Sequence, residues 1–293
     1  MASGAPDSMC WSGSRRGFSG AAALLGLALA ALPAGAAGRP ARVVSINLCA
    51  DQLVLRLADR AQIASVSWLA AEPGRSAMAR AVGDLPLNRG TAEEVIRHDP
   101  DLVIAGRHSA RPAVAALRRL GRRVLDLALP TDFAAIGAQI RRVATALGQP
   151  ARGAALIAQM ERRLARLKPP GVRVRPVAVF YQPHGFASGP GSFEHALLGA
   201  AGFDNLARRL GLGPLGHVPL ERLIAARPDM IVNWSGQDAR PSLARDTYRH
   251  PALGRLIPPI PVAVLPAMLW SCASWYSVAA VERLAALRES LGR

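Results

Sequence analysis

Glu93-Glu94-Val95-Ile96-Arg97-His98-Asp99-Pro100-Asp101-Leu102-Val103-Ile104-Ala105-Gly106 reads as the end of a helix followed by a complete buried strand. Val95 and Ile96 give the helix its apolar side. Pro100 stops it, because proline has no N–H to donate and biases the preceding residue away from helical dihedrals. The strand is then Asp101–Ala105. The pattern returns at Glu221-Arg222-Leu223-Ile224-Ala225-Ala226-Arg227-Pro228-Asp229-Met230-Ile231-Val232-Asn233-Trp234. Glu93 to Glu221 and Pro100 to Pro228 are both separations of 128 positions, so glutamate, aliphatic pair, Pro-Asp and strand recur in one register. A single repeat fits two similar α/β lobes better than a solenoid, which needs at least three units.

Composition agrees with two globular lobes. Hydrophobic residues make up 51% of the chain, which excludes disorder. The net charge is +16, and removing Asp7, Arg15 and Arg16 with an N-terminal leader leaves +15. Such a balance first suggests nucleic acid. The arginines, however, are scattered singly or in pairs over amphipathic helices, with no basic run and no aromatic-rich RNA motif. Lys168 is the only lysine. The charge therefore reads as solvated helix faces, and no nucleic-acid partner is expected.

Residues 1–36 read as an export signal. Arg15 and Arg16 precede the apolar run Ala21–Leu32, and Ala34-Gly35-Ala36 has the small residues of a cleavage site. The run is short for a membrane span, which needs about 20 apolar residues. Ser14-Arg15-Arg16-Gly17-Phe18 matches a twin-arginine signal, with the general secretory route as the alternative. Roughly 255 residues remain, enough for two ordinary domains.

From Arg42 onward, strands and helices alternate: strand Val43–Ile46, a helix through Asp51–Leu57 capped by Asn47, strand Ile63–Ser67, the Glu93 helix, the Asp101 strand, helix Pro112–Leu120 and strand Arg123–Leu127. This order predicts a mainly parallel sheet with helices on its faces and ligands at the carboxyl ends of its strands. Thr131–Lys168 interrupts the alternation with a helix to about Gly148 and a second over Pro150–Lys168, a rod of about 28 Å. Pro169-Pro170-Gly171 ends it. Alternation resumes with strand Val177–Tyr181, helix Phe193–Ala200, the Glu221 repeat, strand Val262–Leu265 and a last helix after Trp275. The expected organisation is a first lobe over 37–149, a connecting helix over 150–168 and a second lobe over 169–293.

Arg42-Val43-Val44-Ser45-Ile46-Asn47-Leu48, Glu93 to Val103, the single long connecting helix, Phe180 to Gly189 and the Glu221 repeat together resemble the periplasmic binding proteins of the cobalamin and ferric-siderophore class. The resemblance extends over residues 40–291. It implies two Rossmann-like lobes joined by one backbone helix, and a monomeric, non-enzymatic receptor in the periplasm. Such a receptor holds a metal chelate between its lobes, has no covalent cofactor, and delivers the chelate to the permease and ATPase of an ABC importer. Its only link to the membrane is the permease. In that family each lobe offers an exposed glutamate to permease arginines, and Glu93 and Glu221 match those positions. Both are expected on helices that precede their strands, away from the cleft.

For the pocket between the lobes the candidates are Trp68, Arg107 and His108 on the first lobe. On the second they are Tyr181, His184, Phe186, Trp234, Trp270 and Trp275. Aromatic rings give a large flat ligand much apolar contact at little entropic cost, and arginine suits carboxylates and chelate anions. Haem receptors of the family often place an iron-ligating tyrosine after the second strand, where this chain has Trp68. Haem is accordingly an alternative ligand rather than the first. Cys49 and Cys272 are each expected to open a helix after a strand, one in each lobe. A role at the cleft is favoured over unrelated buried residues, with a disulfide between lobes and thiols available to a metal left open. A cysteine-dependent enzyme using Cys49 with His184 is the alternative of a different class. A hydrolase elbow and a dinucleotide fingerprint are both missing: Gly189-Pro190-Gly191-Ser192 lacks the first pattern, and Ser45-Ile46-Asn47-Leu48 lacks the second.

Overall fold

The computed structural model describes residues 39–167, 174–235 and 260–291, the last two positions of the middle stretch by backbone only. The expected export signal, the Pro169-Pro170-Gly171 stop and the side chain of Trp234 lie outside what it describes. Two parallel sheets organise the molecule. The first has five strands in the order β3 (Leu87–Asn88), β2 (Ile63–Ser67), β1 (Val43–Ser45), β4 (Leu102–Gly106), β5 (Val124–Leu127). The second has four, in the order β11 (Val262–Pro266), β10 (Met230–Ser235), β6 (Val177–Phe180), β8 (Asp204–Asn205). An antiparallel ribbon, β7 (Phe186–Ser188) with β9 (Leu215–His217), is appended to the second lobe.

Among the described residues the helices are α1 (Leu48–Leu57), α2 (Ala79–Val82), α3 (Ala92–Ile96), α4 (Arg111–Arg119), α5 (Phe133–Ala146), α6 (Pro150–Arg166), α7 (Phe193–Ala200), α8 (Leu206–Arg209), α9 (Leu220–Ala226) and α10 (Val278–Ser290). None among the described residues is long and apolar enough to cross a membrane. The α/β class with two mainly parallel sheets and one long joining helix is the architecture expected from the alternation.

The internal repeat has a physical counterpart. In the first lobe, the Asp101 carboxylate accepts the backbone N–H groups of Ala41 at 2.6 Å and Arg42 at 3.1 Å, just ahead of β1. In the second lobe, the Asp229 carboxylate accepts the N–H of Val177 at 2.7 Å, the first residue of β6. Each Pro-Asp thus ties the start of its own strand to the start of the neighbouring parallel strand: β4 pairs with β1, and β10 with β6. The residue ahead of each proline has a positive φ, 42° at both Asp99 and Arg227. That conformation is uncommon without glycine, and at these two positions it ends α3 and α9 and turns the chain into the strand.

Helix α6 serves both lobes. Gly153 lies so close to α5 that an added Cβ would sit 2.4 Å from the Ala144 Cβ, so only glycine permits this α5–α6 approach. Near its start, Arg152 donates to the Leu57 carbonyl at the end of α1 at 3.1 Å. Near its end, Arg163 forms a two-pronged pair with Glu282 of α10, at 3.0 and 2.8 Å. One hydrophobic cluster continues from Leu53 and Ile104 of the first lobe, through Ile140 and Met160, to Phe180, Leu197 and Leu284 of the second. Phe133 and Phe193 meet edge to face across it, with ring centres 5.4 Å apart. The lobes therefore share a core, beyond the helix that joins them.

Candidate functional site

In a parallel sheet whose helices leave on both faces, a crevice opens at the carboxyl ends where the exits diverge. In the first lobe α1 leaves β1 on the face packed against α5 and α6, while α4 leaves β4 on the other. A cavity of about 730 Å³ lies there, walled by Asn47, Trp68, Arg89, Glu93, Ser109 and neighbouring aliphatic residues. Asn47 is fixed twice. Its Oδ1 caps α1 by accepting from the N–H groups of Cys49 at 3.0 Å and Ala50 at 3.3 Å, and its Nδ2 donates to Ser109 Oγ at 3.1 Å. Trp68 is 44% exposed, immediately after β2. Beneath it Asp51, wholly buried, accepts the Ser67 N–H at 3.1 Å and also the Ser67 hydroxyl. Burial pushes the Asp51 carboxyl up to about 6, against the opposing pull of those serine donors.

The expected site residues separate into groups. Trp68 and Glu93 line this cavity. Arg107 lines an adjoining one of about 230 Å³. His108 is exposed next to it. Tyr181 is corrected: it is 1% exposed, its hydroxyl donates to the Val218 carbonyl at 2.9 Å, and it belongs to the second lobe's core. Burial, with the nearby Glu221 carboxylate second, raises its hydroxyl pKa. Trp275 is also relocated. It sits on a separate cavity of about 260 Å³ between α1 and α6, with Arg56, Met160 and Arg163. Trp270 is partly buried, its ring centre 5.8 Å from that of Phe180. His184 and Phe186 are exposed beyond the carboxyl end of β6, and Phe186 meets His217 edge to face at 6.0 Å. Among the described residues no cluster of three or more His, Cys, Asp or Glu side chains is placed to hold a metal. The sequence reading missed Asn47, Arg89 and Ser109. The signal for Asn47 and Ser109 was available in their places, just past the ends of β1 and β4.

Glu93 and Glu221 need a correction of place. They occupy the first turns of α3 and α9, both exposed. Because α3 follows β3, its first turn stands at the carboxyl edge of the sheet, which is why Glu93 lines the Trp68 cavity instead of lying away from it. Glu221, within electrostatic reach of Tyr181 at the end of β6, is on the corresponding edge of the second lobe. Neither carboxylate has a hydrogen bond or a cation partner among the described residues, whereas Glu94 beside Glu93 is engaged by the Arg89 N–H.

Cys49 and Cys272 are joined by a disulfide, Cα atoms 5.0 Å apart. Cys49 lies in the first turn of α1, as expected. Cys272 does not open a helix; it lies in the irregular stretch between β11 and α10. One turn along α1 from Cys49, Gln52 Nε2 donates to the Tyr276 hydroxyl at 2.8 Å, so a covalent and a hydrogen bond cross between the lobes side by side.

Comparison with known proteins gives this geometry a family. A cobalamin-binding protein of Halobacterium salinarum is 26% identical over 203 residues, 68% of this chain, and the match spans 55% of that protein's own length. The apo periplasmic heme-binding protein RhuT from Roseiflexus sp. RS-1 superposes with a TM-score of 0.69 at 23% identity, covering 86% of this chain and 99% of its own. The periplasmic vitamin B12 binding protein BtuF of Vibrio cholerae gives 0.65 at 18%, covering 87% and 99%. At these identities the two structures speak for the fold alone. The periplasmic binding protein family model matches residues 43–254, most of the two lobes. The chain belongs to the periplasmic binding protein family.

Proposed function

We propose that this protein captures a metal chelate of the cobalamin or ferric-siderophore class and hands it to the permease of an ABC importer. The observation that carries the reading is the 730 Å³ crevice at the carboxyl edge of the first sheet, which an exposed indole lines together with the mutually bonded Asn47 amide and Ser109 hydroxyl. A flat, weakly charged macrocycle or chelate would stack on Trp68 and meet Asn47 and Ser109 at its polar rim. His184, Phe186 and His217 would present the opposing wall from the second lobe. Trp68 carries no metal-ligating atom, so the receptor would recognise the organic frame of the complex. A cysteine-dependent enzyme would need Cys49 as a thiolate, and its sulfur is bonded to Cys272.

Residues 1–36 would direct the chain to the periplasm. Residues 37–149 and 169–293 would form the lobes on either side of the 150–168 helix. Glu93 and Glu221, in matching first turns at the two carboxyl edges, would dock on arginines of the permease and fix one orientation through charge-assisted hydrogen bonds.

The test is a titration of purified protein, followed by tryptophan fluorescence, with cyanocobalamin, haemin and a ferric hydroxamate. Saturable one-to-one binding of at least one, weakened about tenfold or more by Trp68→Ala, is the expected result. No binding of any of the three would overturn the reading. For docking, Glu93→Ala with Glu221→Ala should abolish association with the reconstituted permease; association equal to wild type would remove both glutamates from that role.

A further inference from the structure

Arginines and acids are unevenly matched over the surface. Arg39 and Arg152 share Asp59, Arg208 and Arg209 share Asp204, and Arg163 holds Glu282. Between Leu102 and Pro130 the balance fails: Arg107, Arg111, Arg118, Arg119, Arg122 and Arg123 accompany a single acid, Asp126. Arg118 is paired with Asp126, and Arg122 with Asp99 from the turn before β4. Arg107, Arg111, Arg119 and Arg123 are exposed and have no carboxylate within ion-pair distance among the described residues.

The fold gathers these charges on one flank. β5 is an outer strand of its sheet, and α4 packs beside it. Arg107 follows β4, and its N–H donates to the Leu127 carbonyl of β5 at 2.8 Å. Arg111 opens α4 and Arg119 closes it, on the side of the helix from which Arg118 reaches Asp126. At a rise of about 1.5 Å per residue, Arg111 and Arg119 stand about 12 Å apart along the helix. Arg123 leads into β5 at the amino edge of the sheet. The cations thus form an extended array rather than one socket. At the carboxyl edge of the same flank, two residues past β5, Leu129 is 61% exposed.

Like charges held this close repel one another, and a polyanionic partner relieves that repulsion. The partner must offer many separated negative charges and a place for an aliphatic side chain. An anionic bilayer has both, phosphates for the guanidiniums and an acyl boundary for Leu129. A nucleic-acid backbone would match the charge and leave Leu129 without a counterpart. We infer that the α4–β5 flank docks on an anionic phospholipid surface, giving the protein a contact with the membrane beyond the permease. Leu129 and Arg107 share the carboxyl edge of the sheet with Glu93, so a receptor held on lipid by this flank keeps that glutamate near the membrane plane. Receptor and permease would then meet by a search along a surface.

The experiment is co-sedimentation of purified protein, with one N-terminus throughout, with vesicles of phosphatidylcholine, with and without phosphatidylglycerol. Wild type should bind the anionic vesicles about tenfold or more tightly than the neutral ones, and lose that preference as salt is raised. Two variants remove equal charge from different places: Arg107→Gln/Arg111→Gln/Arg119→Gln/Arg123→Gln from the flank, and Arg141→Gln/Arg142→Gln/Arg162→Gln/Arg166→Gln from α5 and α6. All eight side chains are exposed, so both variants should unfold thermally like wild type. The flank variant should lose about tenfold or more in affinity for the anionic vesicles, and the other variant about threefold or less. Leu129→Ser, a single exposed change that leaves the charge intact, should weaken binding about threefold. Equal losses in the two charge variants would reduce the effect to net charge and overturn the flank. So would a wild type without preference for anionic vesicles, tighter binding to a DNA duplex than to those vesicles, or undiminished binding by Leu129→Ser. The vesicles hold neither permease nor chelate, so each of these outcomes leaves the receptor reading standing.

Discussion

Asp51 is the residue with the largest consequence per atom. A buried acid whose pKa stands at about 6, against 3.8 unperturbed, favours the folded state when protonated. The folded state then binds more protons between those values, so stability is greatest below pH about 4 and falls as pH rises through about 6. The difference amounts to about 3 kcal/mol. Denaturant unfolding at pH 4 and pH 7 should show Asp51→Asn losing stability to wild type at the lower pH and recovering most of that deficit at the higher. A deficit independent of pH would contradict the assignment. The same residue holds the turn leading into Trp68, so the exposed indole is positioned by a group that titrates. None of this was legible beforehand: Asp51 was read as an ordinary helix residue, because its burial depends on β2 lying beside α1. Trp68 was legible, because its place directly after an aliphatic run puts it at a carboxyl end. Tyr181 has a similar place, yet packs inward beneath the β7–β9 ribbon, which no periodicity announces.

Among the elements, the repeated unit of helix, Pro-Asp and strand was the most readable, since it uses proline and a continuous aliphatic run, both strong local signals. Its aspartates do a job the pattern alone could not disclose, tying neighbouring strands together by accepting backbone N–H groups. Asp101→Ala and Asp229→Ala should each lower unfolding free energy by about 1–2 kcal/mol, and the double variant by about the sum, since the sites lie in different lobes. A clearly larger loss in the double variant would mean that the two clamps are coupled. Ends of α1, α7 and β2 matched expectation closely, because Asn47, Ser192 and the residues after Ser67 mark them chemically. The two-residue strands β3 and β8 and the β7–β9 ribbon were missed. They are too short for any alternation, and only their neighbours make them strands.

At the scale of the whole molecule, α6, a shared core, Gln52–Tyr276 and the Cys49–Cys272 bond all connect the lobes. Closing a loop with a sequence separation of 223 residues constrains the unfolded chain by about 5 kcal/mol in the chain-entropy account. Cys49→Ser and Cys272→Ser should therefore each destabilise by about 2–5 kcal/mol. Wild type should show no free thiol from this pair under denaturing, non-reducing conditions, and two reactive thiols there would contradict the bond. With so many attachments, ligand capture should involve slight rocking of the lobes, and solution scattering should give the same radius of gyration with and without ligand; marked compaction would contradict the shared core. The central claim, that this is a receptor for a metal chelate, is tested most directly by native mass spectrometry with metal analysis of protein isolated from its native source. The account predicts a one-to-one complex with an intact metal-containing small molecule, released on denaturation. Protein that arrives empty, and stays empty after exposure to cobalamin, haemin and ferric siderophores, would contradict it.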